Sequence, residues 1–139
     1  MSILCVKLTK YMYADCVQVY ICISLVMRVN IIKWQNVIIH CGENNAMIKA
    51  FGEFKKKLDL VDWNNPSDAS KSFNSTDLIN CSEQGSNRLI FNIGGNKYRM
   101  ICGYHFGTYK VTLFIKFVGT HKEYDKIDVC DINMFALKL

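Results

Sequence analysis

The sequence predicts one small domain of the α/β class, built in the α+β manner, and three observations support this. The chain has 139 residues, half of them hydrophobic, and a single proline, which fits one core rather than two. Hydrophobic residues recur at helical spacing in the first half and alternate at strand spacing in the second. Its 21% charged residues and mean hydropathy of +0.07 exclude a disordered polar chain.

The helical pattern lies in residues 46–61, where hydrophobic side chains at steps of three and four share one helix face: Met47, Phe51, Phe54, Leu58 and Val61. Asn44 and Asn45 precede this helix as candidate N-caps. Residues 63–66, Trp-Asn-Asn-Pro, should end it, because the residue before a proline is pushed out of the helical conformation. We expect one more short helix in residues 67–73 and interpret the hydrophobic face as core.

The strand pattern begins with residues 88–93 and 97–102, which flank Gly94-Gly95-Asn96. Glycine tolerates the positive φ of a tight turn, so this segment predicts a β-hairpin. In residues 110–118, the face expected to pack on the helices carries Val111, Leu113, Ile115 and Phe117, and the opposite face carries Lys110, Thr112, Phe114 and Lys116. By the same parity Lys97 and Arg99 share a face, which predicts a basic, partly aromatic surface across neighbouring strands.

The positive charge is concentrated in the second half of the chain, whose overall net charge is +5. Residues 88–126 carry seven lysines and arginines against two acidic residues, whereas residues 46–83 carry five against six. A basic surface attracts and steers a polyanion, which suits RNA. The plainer alternative is a solvated basic face.

A short helix is predicted to begin at His121. Thr120 and Glu123 have the spacing of a capping box, in which each side chain satisfies a backbone N–H at the helix start. This helix places His121, Tyr124 and Asp125 on one side. Its N-terminal dipole attracts phosphate, and histidine transfers protons near neutral pH. These residues form a candidate site for RNA chemistry, against the plainer alternative of a structural histidine.

Three spaced motifs resemble one protein family. They are Trp-Asn-Asn-Pro at residues 63–66 with Phe73 and Asp77 downstream, Phe-Asn-Ile-Gly-Gly-Asn-Lys-Tyr-Arg at residues 91–99, and Phe-Val-Gly-Thr-His-Lys-Glu-Tyr-Asp-Lys-Ile-Asp at residues 117–128. With an opening strand at residues 27–32, they resemble the HigB-type toxins, the mRNA interferases of type II toxin–antitoxin systems within the RelE-like group. The resemblance implies a RelE-like fold, with N-terminal helices packed on a mainly antiparallel sheet and a short C-terminal helix.

The resemblance also implies a function. Such a toxin is a ribosome-dependent endoribonuclease that cleaves mRNA without a metal or other cofactor and thereby inhibits translation in the cytoplasm, not at a membrane. A cognate helix-turn-helix antitoxin would hold it in check and would alone connect it to operator DNA. The chain departs from the family at Cys102-Gly103-Tyr104, where a polar or charged residue is usual. A catalytically decayed module that binds RNA or the antitoxin is therefore the alternative function.

Candidate roles follow from this resemblance and from the chemistry, because RNA cleavage by its own 2′-hydroxyl needs a base, an acid and positive charge at the phosphate. The catalytic candidates are His121, Lys97, Arg99 and Tyr124. The RNA-binding candidates are Lys116, Lys122, Lys126, Arg88 and Lys110. Thr120, Glu123 and Asp125 are expected to cap the helix or orient the histidine.

Residues 1–26 have no counterpart in the family, and we interpret them as an N-terminal extension to a domain of residues 27–139. The hydrophobic part, residues 16–27, is shorter than the roughly 20 residues that span a bilayer. No small-residue cleavage site follows it. A signal peptide and a membrane anchor are the weaker alternatives.

The seven cysteines are odd in number and form no C-x-x-C pair: Cys5, Cys16, Cys22, Cys41, Cys81, Cys102 and Cys130. Metal ligands usually arrive in close pairs, so neither a zinc site nor a disulfide framework is supported. We expect buried free thiols in a reducing cytosol, where cysteine packs as a small hydrophobic residue.

Overall fold

The computed structural model describes the backbone of residues 3–12 and 15–24 and all atoms of residues 27–81 and 87–135. Strands β1 (Ile3–Met12) and β2 (Asp15–Ser24) pair antiparallel and form a sheet of their own. In the part of the chain that is described, no helix is long and apolar enough to cross a bilayer. The side chains of Cys5, Cys16 and Cys22 lie outside the described residues.

In the described part of the chain the main sheet has six strands: β3 (Met27–Ile32), β4 (Asp62–Trp63), β5 (Asp77–Ile79), β6 (Arg88–Ile93), β7 (Tyr98–Phe106) and β8 (Lys110–Thr120). Their order is β4-β3-β8-β7-β6-β5. Only β3 and β8 run parallel; the other neighbours are antiparallel. The predicted α+β class and mainly antiparallel sheet are therefore confirmed, as are the opening strand and the hairpin of β6 and β7.

Within the described residues, four helices accompany the sheet: α1 (Trp34–Cys41), α2 (Asn45–Leu58), α3 (Asp68–Ser72) and α4 (His121–Tyr124). The Asn44 side chain caps α2 by accepting a hydrogen bond from the Met47 N–H at 3.1 Å. The helix ends at Leu58, three residues before the predicted end, and Val61 packs on the core from the connection that follows. Helix α1 was not anticipated by the sequence analysis.

The main core lies between the helices and one face of the sheet. It buries the predicted face of α2 against alternate residues of β3, β6, β7 and β8. Trp63 is fully buried there, and its indole N–H donates to Ser72 Oγ at 2.9 Å. The Phe91 ring lies 5.1 Å from that of Phe54 and 5.6 Å from that of Phe73. The Trp-Asn-Asn-Pro motif thus contributes to packing.

A β-bulge in β8 changes which face its residues occupy. Cys102 of β7 is opposite Ile115, but its neighbour Ile101 is opposite Phe117, so Lys116 is the extra residue. Val111, Leu113 and Ile115 face the helices as predicted, whereas Phe117 does not. The prediction for Phe117 was wrong because one inserted residue reverses the alternation.

The second face of the sheet is covered by residues 127–135, which we call the C-terminal strap. Ile127, Val129 and Ile132 of the strap pack on a buried cluster formed by Ile90, Ile101 and Phe117. The backbone N–H of Met134 donates to the Lys116 carbonyl at 2.8 Å. The Arg88 guanidinium donates to the Cys130 carbonyl at 3.3 Å. The strap is therefore fixed by hydrophobic contacts and by hydrogen bonds.

A disulfide between Cys81 and Cys130 also holds the strap. The expectation of free thiols was wrong for this pair, because the two cysteines are 49 residues apart and meet only when the strap folds across the sheet. Cys41 and Cys102 are free and buried, as expected. Burial raises the pKa of both thiols, which keeps them protonated.

Removal of residues 1–26 should leave the six-stranded domain folded. Since β1 and β2 pair with each other, we expect the free energy of unfolding to change by less than about 1 kcal/mol. Denaturant unfolding of the full chain and of a chain starting at Met27 measures the difference. Loss of a cooperative transition in the shorter chain would contradict the proposed boundary.

Replacement of Cys130 by serine should destabilise the oxidised protein. A cross-link over this sequence separation restricts the unfolded chain by about 4 kcal/mol in the loop-entropy model. Denaturant unfolding of Cys130→Ser and of the unsubstituted protein tests this, and both should unfold alike in excess dithiothreitol. Equal stability without the reductant would show that the cross-link does not contribute.

Candidate functional site

The turn between β6 and β7 has an unusual backbone. Gly94, Gly95 and Asn96 all have positive φ, at 66°, 61° and 78°. Glycine adopts this conformation without strain, and asparagine tolerates it better than most residues. A Cβ atom at Gly94 would lie 3.0 Å from Ala50 Cβ of α2, so the turn also packs closely on a helix. The Gly-Gly-Asn sequence therefore has both a conformational and a packing cause.

Arg99 fastens this turn from the second face of the sheet. Its side chain is only 7% exposed. The guanidinium donates to the carbonyls of Asn96 and Tyr98, each at 3.2 Å, and to Asn96 Oδ1 at 2.5 Å. Its Cζ lies 5.8 Å from the centroid of the Tyr124 ring, within the range of a cation–π contact. Arg99 thus connects the turn to α4.

Helix α4 begins at the other side of the same turn. The Thr120 hydroxyl oxygen accepts from the Glu123 N–H at 3.2 Å, and the hydroxyl donates to Glu123 Oε1 at 3.1 Å. The predicted capping by Thr120 is confirmed. The Glu123 carboxylate accepts from the threonine hydroxyl, whereas the capping box predicted a bond to a backbone N–H. The backbone N–H of His121 donates to the Lys97 carbonyl at 3.1 Å. The turn and α4 are therefore joined directly.

Gly119 allows α4 to fold back on the end of β8. A Cβ atom at this position would lie 2.6 Å from the Phe117 ring and 2.9 Å from Glu123 Oε2. Both distances are shorter than real Cβ contacts, so any larger residue would have to displace the Phe117 ring and the Glu123 carboxylate. The glycine of the Phe-Val-Gly-Thr-His motif is thus required by packing.

His121, Tyr124 and Asp125 lie on one side of α4, as predicted. The His121 and Tyr124 rings are stacked with centroids 6.4 Å apart. His121 Nε2 is 3.7 Å from Asp125 Oδ2, and these side chains are 49% and 58% exposed. The histidine is therefore accessible, with an aromatic ring on one side and a carboxylate near one nitrogen.

The phenol of Tyr124 remains protonated at neutral pH. Burial raises the pKa of Tyr124, and the negative charges of Asp77 and Asp125 raise it further, while Arg99 lowers it. The net shift is upward from the ordinary value near 10. The hydroxyl is thus available as a hydrogen-bond donor beside His121.

The predicted basic residues fall into two groups. Lys97, Lys122 and Lys126 are exposed around the turn and α4. The other group consists of Arg88, which is buried under the strap, Lys116, which is half-buried, and Lys110, which is exposed at the start of β8. A strand of this length puts Lys110 roughly 30 Å from His121. The basic residues therefore do not all share one surface, and Lys97 and Arg99, which were predicted to share a face, differ in that Lys97 is exposed and Arg99 is buried.

Two residues of the site had no assigned role in the sequence analysis. Asn96 holds the Arg99 guanidinium through its side chain and carbonyl, and Asp77 acts on the pKa of Tyr124 from β5. The three-residue spacing of Asn96 and Arg99 at a predicted turn could have indicated their hydrogen bonds. The proximity of Asp77 and Tyr124 was not, because it depends on how the edge strand pairs with β6. Among residues 27–81 and 87–135, no cluster of three or more His, Cys, Asp or Glu could hold a metal ion.

Comparison with models of known protein families identifies the family of this chain. The model of the HigB toxin family, the RelE-like toxic component of a toxin–antitoxin system, matches residues 47–127. The chain belongs to this family. A comparison with curated proteins finds no match. The matched segment of this HigB family member runs from α2 through α4 and contains the turn, Arg99 and His121. The protein is therefore the toxin component of a toxin–antitoxin system, and its family implies an antitoxin partner.

The pKa of Tyr124 should fall when Asp77 is replaced by asparagine. Removing a nearby negative charge makes ionisation of the phenol easier, so the value should move down toward that of an ordinary tyrosine. A pH titration of ¹³C-labelled tyrosine rings by NMR measures the change. Asp62→Asn on the exposed end of β4 is the matched control and should have no effect. An unchanged Tyr124 pKa in Asp77→Asn would contradict this arrangement.

Proposed function

We propose that this HigB family member is a ribosome-dependent mRNA endonuclease that inhibits translation in the cytoplasm. One observation carries the proposal: α4 packs against the β6–β7 turn, with His121 and Tyr124 side by side on an exposed edge. Lys97 lies beside them, because its backbone carbonyl accepts a hydrogen bond from the His121 N–H at the start of the helix. Cleavage by an RNA 2′-hydroxyl requires a base, an acid and positive charge at the phosphate, and an imidazole, a phenol and an ammonium group can supply them.

In the proposed reaction the 2′-oxygen attacks the adjacent phosphorus, and the bond from phosphorus to the 5′-oxygen breaks. The products are a 2′,3′-cyclic phosphate and a free 5′-hydroxyl. A base takes the proton of the 2′-hydroxyl, and an acid protonates the departing 5′-oxygen. His121 serves one of these roles, and Tyr124 supplies the other proton-transfer group or stacks on a base. Lys97 stabilises the charge on the phosphate.

Arg99 has a different role in this proposal from the one first assigned to it. Its guanidinium is 7% exposed and is already bonded to Asn96 and Tyr98. It is therefore a positioning residue, which holds the turn and the Tyr124 ring. Asp125 orients His121 when the imidazole is protonated, since the nearest atoms are 3.7 Å apart.

The antitoxin would act by covering the exposed edge that carries Lys97, Lys122 and Lys126. An acidic or amphipathic segment suits this surface, because opposite charge speeds association and fixes the orientation of the partner. We propose that the antitoxin is a helix-turn-helix protein and that contact with operator DNA occurs through it alone.

Replacement of His121 by alanine should reduce mRNA cleavage by roughly 10²-fold or more, the usual effect of losing a general acid or base. The assay is primer extension on an mRNA translated with purified ribosomes. His105→Ala is the matched control, because His105 is exposed on β7 roughly 20 Å from the turn. This variant should cleave mRNA as fast as the unsubstituted protein. Lys97→Ala should also impair cleavage, whereas Lys56→Ala on α2 should not.

Two results would separate this proposal from its alternative. Equal cleavage by His121→Ala and the unsubstituted protein would refute the role of His121. Absence of cleavage by the unsubstituted protein, with retained binding to RNA or to the antitoxin, would support the catalytically decayed module instead.

A further inference from the structure

A basic pocket lies away from α4, where the first turn of α1 meets β8 and the end of the strap. Its volume is about 200 Å³. Eight residues line it: Ile32, Lys33, Asn36, Phe114, Ile115, Lys116, Asn133 and Phe135. Drug-sized ligands occupy pockets of roughly 300 Å³ or more, so this one suits a smaller chemical group. Its polar lining residues are two lysines and two asparagines, and its aromatic lining residues are two phenylalanines.

Lys116 carries a positive charge that its surroundings do not neutralise. It is the extra residue of the bulge in β8 and is half-buried. Burial lowers the pKa of Lys116, and the positive charge of Arg88 lowers it further. Among the fully described residues 27–81 and 87–135, none bonds or pairs with its ammonium group. A half-buried cation with a cationic neighbour favours an anion in the pocket that it lines.

The remaining walls favour an anion as well. Lys33 precedes α1, and the first turn of this helix has neither a side-chain cap nor an acidic residue. The amides of Asn36 and Asn133 can donate hydrogen bonds from two sides. Phe114 is 38% exposed beside these donors and offers an aromatic surface. Donors and cations next to an aromatic ring are the groups that bind a phosphate and its neighbouring base.

We propose that this pocket binds the phosphate group of a nucleotide, with Lys33 and Lys116 as the cations and Phe114 against the base or sugar. The pocket is distinct from the exposed edge at α4, because Lys116 lies five residues before His121 on an extended strand, roughly 15 Å away. The phosphate could belong to an RNA strand, an identification that rests on the proposed function, or to a free nucleotide. Its position implies that RNA bound there is held away from the scissile bond.

NMR titration of ¹⁵N-labelled protein with inorganic phosphate, adenosine 5′-monophosphate and adenosine, at constant ionic strength, tests this proposal. We expect saturable shifts of the Asn36 and Lys116 amides with phosphate and the monophosphate, and binding of adenosine at least about tenfold weaker. Lys116→Met should weaken binding of the monophosphate by about tenfold or more, since one charge-assisted hydrogen bond is lost. Lys56→Met removes the same charge from α2 and should bind normally.

A second variant guards against an effect of Lys116→Met on folding. Lys33 has positive φ, at 58°, which asparagine also tolerates, so Lys33→Asn removes the charge without straining the backbone. It should weaken binding of the monophosphate in the same direction. Absence of saturable shifts would contradict the proposal that this pocket binds phosphate. Equal affinity of both lysine variants and the unsubstituted protein for the monophosphate would contradict it as well.

The source of the phosphate is decided with the His121→Ala protein, so that RNA is not consumed. If a short single-stranded RNA changes the chemical shift of the Asn36 amide and displaces the monophosphate, the pocket binds RNA. If the monophosphate binds and RNA does not displace it, the pocket binds a free nucleotide. Either result supports a phosphate-binding pocket, and neither depends on cleavage. A protein that binds phosphate but does not cut mRNA would refute only the proposed function and not the pocket.

Discussion

The contact of the Arg99 guanidinium with the β6–β7 turn and with the Tyr124 ring is the interaction on which the candidate site depends. A buried guanidinium is costly unless its donors find partners, and here it donates three hydrogen bonds, to Asn96 and Tyr98. The turn has three consecutive residues with positive φ, a conformation that glycine and asparagine tolerate, and the guanidinium fixes it by donating to Asn96. Because the same guanidinium lies against Tyr124, the turn and α4 are fixed together.

The two faces of the sheet explain why the site lies at an edge. Helices α1 and α2 cover one face with the main core, and the strap covers the other through Ile127, Val129 and Ile132. The candidate site lies at the end of the sheet where β7 begins and β8 ends. The strap is also tied to α4, since the N–H of Ile127, three residues after the helix ends, donates to the Tyr124 carbonyl at 3.3 Å. The Cys81–Cys130 disulfide holds the strap near its middle.

Local features of the fold could be predicted from the sequence, and long-range ones could not. The α2 face, the Gly-Gly-Asn turn and the Thr120 cap depend on neighbours within a few residues, and all three were predicted correctly. The bulge at Lys116 was missed, because an inserted residue leaves no mark in the alternation before it. The disulfide was missed since it depends on the path of the strap. Of the candidate site, the composition of α4 was predictable, whereas the burial of Arg99 and Arg88 depended on what covers the sheet.

A double-mutant cycle between Arg99 and Tyr124 tests most directly whether the site is assembled in this way. The free energy of unfolding is measured for Arg99→Met, Tyr124→Leu, the double variant and the unsubstituted protein. We predict a coupling energy of about 0.5–2 kcal/mol, the range for a partly desolvated cation–π contact. Arg99 with Tyr104, which packs on the helix side of the sheet, is the control pair and should be additive. Additive effects for Arg99 and Tyr124, within about 0.5 kcal/mol, would contradict the account.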